Sequence, residues 1–116
     1  MKKNKLIALI TFLAIPVFLF AHAPSDITIK HKTENDKHIL EITVDHSVRN
    51  VERHYIETIT ISLNGEEYKV LEYTSQSSDD YHEAKAEISE LKQGDIVEVS
   101  ADCSRLGSRT RVLEIE

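Results

Sequence analysis

The chain has 116 residues, 14 basic against 20 acidic, and a single cysteine. The resulting formal charge of −6 makes nucleic acid and anionic membrane surfaces poor partners. The length fits one small domain with little core to spare, and a lone thiol excludes an internal disulfide.

Met1 to Lys5 forms a basic start, Leu6 to Phe20 a 15-residue apolar run, and Ala21-His22-Ala23 supplies small residues around a cleavage point. Together these predict a secretory signal peptide over residues 1–21 and a single exported domain over 22–116, periplasmic or otherwise extracytoplasmic. As an uncleaved anchor the run falls short of the roughly 20 residues that span a bilayer. Cleavage after Ala23 would leave Pro24 at the terminus, so cleavage after Ala21 is preferred, starting the mature chain at His22. Loss of Lys2, Lys3 and Lys5 leaves 11 basic against 20 acidic residues, a charge near −9.

Beyond the leader, short segments with period-2 alternation are separated by polar turns. Asp26 to Lys32 places Ile27, Ile29 and His31 on one face, and Lys37 to Asp45 does the same for Leu40, Ile42 and Val44. Tyr55 to Leu63 and Glu66 to Tyr73 flank Asn64-Gly65, which predicts a type I′ hairpin. His82 to Ile88, Ile96 to Asp102 and Arg109 to Ile115 complete about seven strands, the pattern of an all-β, immunoglobulin-like antiparallel sandwich.

On this map His46 ends the second strand, His54 opens the third and Cys103 follows the sixth, in phase with Val97, Val99 and Ala101. Strand ends are where a rigid scaffold holds loop residues in fixed geometry. With His22, three imidazoles and one thiolate form a borderline-to-soft set that suits iron, copper or zinc and disfavours calcium or magnesium. Their spacing matches no zinc finger or knuckle. The plainer alternative is that Cys103 is a small buried apolar residue and the two histidines are ordinary loop residues. His31, His38 and His82 are read as strand residues without a ligating role, and Ser78-Asp79-Asp80-Tyr81 as a solvated turn. Glu52-Arg53, beside His54, is read as a solvated loop, with a charge near the site as the alternative. Nothing resembles a phosphate loop, a nucleophile elbow or a paired-carboxylate site.

The run from His46 to Glu57 ending His54-Tyr55-Ile56-Glu57, with His22-Ala23-Pro24 upstream and Cys103-Ser104-Arg105-Leu106-Gly107 downstream, resembles the iron-binding domain of superoxide reductases and desulfoferrodoxins. The resemblance implies an immunoglobulin-like domain that holds one iron (Fe2+/Fe3+) through His22, His46, His54 and Cys103. Tyr55 and Glu57 are read as strand residues, with Glu57 a hydrogen-bond partner for a ligating imidazole. It further implies one-electron reduction of superoxide to hydrogen peroxide, with the electron coming from a donor the sequence does not name. The chain departs from the family in three places. Leu106 stands where the family's cysteine motif carries a histidine, the histidine loop is two residues longer, and the Glu-Lys pair before the first histidine is absent.

Two other functions stay open at this level. One is a non-catalytic metal-binding or electron-transfer module for iron or copper, because a histidine at a free N-terminus chelates through both amine and ring. The other is a metal-free interaction domain.

Overall fold

The computed structural model of the protein describes residues 23–116, so the predicted leader and His22 lie outside the described residues. The described chain is all-β, with seven antiparallel strands: β1 (Asp26–Glu34), β2 (Lys37–Asp45), β3 (Ile56–Leu63), β4 (Glu66–Glu72), β5 (Tyr81–Ile88), β6 (Ile96–Cys103) and β7 (Ser108–Glu114). Each begins and ends within two residues of the span expected from alternation. Among the described residues no helix is long and apolar enough to cross a membrane.

Strands β1-β2-β5 make one sheet and β4-β3-β6-β7 the other, an immunoglobulin-like arrangement with the fourth strand on the sheet of the third, sixth and seventh. Between them Ile27, Leu40, Ile42 and Val44 of one sheet meet Ile59, Ile61, Val97 and Val99 of the other, all essentially without solvent exposure. Burying such β-branched and leucine side chains contributes about 1.5–3 kcal/mol each. It drives the two sheets together.

Both two-residue hairpins are held by left-handed residues. Asn64 (φ 51°) and Gly65 (φ 88°) join β3 to β4 with Leu63 paired to Glu66, as a type I′ turn requires. Asn35 (φ 50°) and Asp36 (φ 64°) do the same between Glu34 and Lys37 without a glycine, because short polar side chains tolerate this region. Asn64 also clamps β6: its backbone N–H donates to Ile96 O at 2.8 Å, and its side-chain oxygen accepts from Ile96 N–H at 2.9 Å.

One irregularity positions the candidate site. The β3–β6 register shifts between Ile56 and Thr58, so Ile56 and Ile59, three residues apart, both face the core. Such a bulge turns the strand locally and re-aims what precedes it. What precedes it is the His54-Tyr55 segment.

Candidate metal centre

At one end of the sandwich two loops are sewn together by hydrogen bonds. Tyr55 N–H donates to Ser104 Oγ at 3.2 Å, and Ser104 N–H donates to Tyr55 O at 2.9 Å. Cys103, last residue of β6, donates its N–H to Gly107 O at 2.9 Å and thereby closes the turn beneath it. The long loop after β2 is anchored in the same way, with His46 and Val48 donating to the carbonyls of Asp80 and Asp79 at 2.9 and 2.8 Å. The acidic turn at Ser78–Tyr81 therefore has exposed carboxylates, while its backbone carries the pairing of β2 and β5 onward into the loop.

This stitching brings His46, His54 and Cys103 together. Their ligand atoms all lie within 4.8 Å of one another, and the trio could hold a metal ion. His46 and Cys103 are buried and His54 is half-buried. His54 Nε2 stands 3.0 Å from Cys103 Sγ, and the two imidazole rings meet edge to face at 4.8 Å. Metal–nitrogen bonds of about 2.0–2.1 Å and metal–sulfur bonds of about 2.3 Å place ligands sharing one ion roughly 3 to 4.4 Å apart. Side-chain movements of a few tenths of an ångström fit the trio to such an ion. The donors come from both sheets, His46 from the end of β2 and the other two from the ends of β3 and β6.

The tautomer of His46 is set by a residue that sequence reasoning missed. Gln76, 5% exposed, donates its two amide hydrogens to His46 O (2.8 Å) and Ser78 O (2.9 Å), which fixes the orientation of its amide. Its oxygen then accepts from Ile56 N–H (3.2 Å) and from His46 Nδ1–H (2.8 Å). With the proton on Nδ1, the lone pair of His46 lies on Nε2, and an oriented neighbour of this kind also raises the imidazole's strength as a ligand. Glu57, expected in the supporting role, lies on the exposed side of β3, and its backbone oxygen accepts from Tyr73 N–H.

Gln76 is itself held from below. Ser77 N–H donates to His82 Nδ1 at 3.1 Å, and the buried His82 ring packs edge to face on Tyr73 at 4.2 Å. Burial pushes the pKa of His82 below its ordinary value, with the Glu83 charge opposing in part. His31 and His38 share a 3.0 Å hydrogen bond across β1 and β2 in the half of the hairpin nearer its turn, away from the strand ends that carry the cluster. All three thus sit in strands, as expected.

The chain reaches this end from Pro24, which is fully buried, and Arg109 Nε donates to Pro24 O at 2.7 Å. Ala23 presses on Gly107, whose φ is +97°; a Cβ there would lie 2.8 Å from Ala23 Cα. Leu106 is 48% exposed. No protein-family model matches the chain, and no curated protein sequence matches it.

Proposed function

We propose that the domain is an exported mononuclear iron protein that reduces superoxide, with His46, His54, Cys103 and His22 as ligands. The observation that carries this reading is the convergence of two imidazoles and the chain's only thiol, from three strand ends on two sheets, with the His46 tautomer preset by Gln76. A ligand set short of full coordination leaves a position for a small substrate. Bound iron would supply one electron to superoxide, which with two protons gives hydrogen peroxide, and an external donor would restore the iron. The protein's part is to hold the thiol and imidazoles in place, keep the His46 lone pair on Nε2 and bury one side of the site. Ala23 seated on Gly107, in the turn that Cys103 closes, supports His22 as the fourth ligand, although His22 lies outside the described residues. Export rests on residues 1–21, also outside them.

A second reading is favoured by the composition of the described trio. Two histidines and one cysteine are the equatorial set of copper electron-transfer sites. Elemental analysis of protein purified after authentic export, followed by its absorption spectrum and a superoxide-consumption assay, separates these readings. Iron with superoxide consumption supports the first, and copper with an intense thiolate band but no consumption supports the second. Protein that neither carries nor takes up a metal would sink both.

A further inference from the structure

The chain has five arginines, and three of them, Arg49, Arg53 and Arg105, line a single open cleft of about 670 Å³ together with Asn50 and His54. The other two are engaged elsewhere, Arg109 on Pro24 O and Arg111 on Asp26. Among the described residues Arg49, Arg53 and Arg105 form no salt bridge, and no carboxylate lines the cleft, although acidic residues outnumber basic ones by 20 to 14 in the chain. A concentration of guanidinium groups against the overall charge, in a concave surface, focuses a positive potential where the rest of the molecule is negative.

The backbone holds the groups in place. Asn50 O accepts from Arg53 N–H and His54 N–H at 3.2 and 2.9 Å, and Asn50 Oδ1 accepts from Glu52 N–H at 3.0 Å, forming a tight turn with Arg49 and Arg53 four residues apart. Arg105 N–H lies 3.4 Å from Cys103 Sγ. The wall of the cleft therefore includes one member of the ligand trio, His54, and an arginine whose backbone touches another.

We propose that Arg49, Arg53 and Arg105 form a docking cleft for small inorganic oxyanions that opens onto the His54 side of the metal-ligand trio. Guanidinium groups stay charged at any physiological pH and bind oxyanions through paired N–H donors. The cleft is wider than a diatomic or tetrahedral anion, so it acts as a funnel with weak, salt-sensitive binding. Anion docking stands without any metal; delivery of superoxide to the centre rests on the function proposed above.

Inorganic phosphate titrated into the metal-free protein tests the docking directly. Saturable NMR shifts confined to Arg49–His54 and Ser104–Gly107, lost in the folded R49Q/R53Q/R105Q variant and kept in R111Q, are expected. Shifts spread over the surface, or unchanged in the triple variant, would overturn the cleft. In iron-loaded protein the rate with superoxide should fall as salt rises, and the triple variant should lose roughly tenfold at low salt together with that dependence. Phosphate shifts in protein that never consumes superoxide keep the cleft and remove the redox reading. Consumption with neither shifts nor salt dependence does the reverse.

Discussion

His46 Nδ1 donates to Gln76 Oε1 across 2.8 Å, and the same amide oxygen takes the N–H of Ile56, so one buried side chain joins the loop after β2 to the start of β3. All four hydrogen-bonding positions of that amide are used. Gln76→Leu removes every one of these partners at once and leaves buried donors and acceptors at roughly 1–3 kcal/mol each. The expected loss is about 3 kcal/mol or more in urea unfolding, and metal affinity of the folded fraction should drop ten- to hundredfold. Wild-type stability in Gln76→Leu would show that the loop is held by something else.

Cys103→Ser should abolish any thiolate-to-metal charge-transfer absorption and weaken metal binding. His46→Ala and His54→Ala should each cost at least the ten- to hundredfold in affinity that loss of an outer partner costs. Full metal content and an unchanged spectrum in Cys103→Ser would take the sulfur out of the site.

Gly107→Ala combines a left-handed φ with a Cβ placed 2.8 Å from the Ala23 backbone. Gly94 has a similar φ of +91° with nothing nearby, so Gly94→Ala isolates the conformational cost, about 1–3 kcal/mol. Thermal denaturation should show Gly107→Ala to be the more harmful of the two. Equal melting temperatures would mean that Ala23 yields freely.

His82 gives the stability a pH dependence of definite sign. Its folded pKa is lowered by burial, and Nδ1 already accepts from Ser77 N–H, so a proton there would set two donors against each other. The unfolded chain therefore binds the proton more readily. Its stabilising contribution is complete above the unfolded value near 6.5, declines as the pH falls below that, and is gone below the folded value. His82→Gln should flatten the acid side of a stability-against-pH curve measured by urea melts, and an unaltered curve would exclude His82 as its source.

Alternation and turn chemistry are local, and they make the strands and the Asn64-Gly65 hairpin legible in the amino-acid sequence alone. The turn at Asn35-Asp36 carries no glycine and gives a weaker signal for the same geometry. His46, His54 and Cys103 are legible because ligating residue types at strand ends are few in this chain. Gln76 is not, since it lies in a polar segment and its partners at Ile56 and His46 are 20 and 30 residues away. The bulge between Ile56 and Thr58 likewise depends on β6, and it explains why Glu57, which strict alternation would put on the face of Ile59 and Ile61, is exposed. Gathering three arginines into one cleft requires two loops far apart in sequence to meet.

The position of the trio on two separate sheets also has a meaning for chain connectivity. An ion shared by His46 and Cys103 would close a covalent-like circuit of roughly 57 residues through most of the sandwich, and a cross-link of that span lowers the entropy of the unfolded chain by the equivalent of about 4 kcal/mol. Small β-sandwiches often place a disulfide between their sheets. Here a single thiol and two imidazoles would serve as a reversible fastening, released by a chelator where a disulfide would need a reductant.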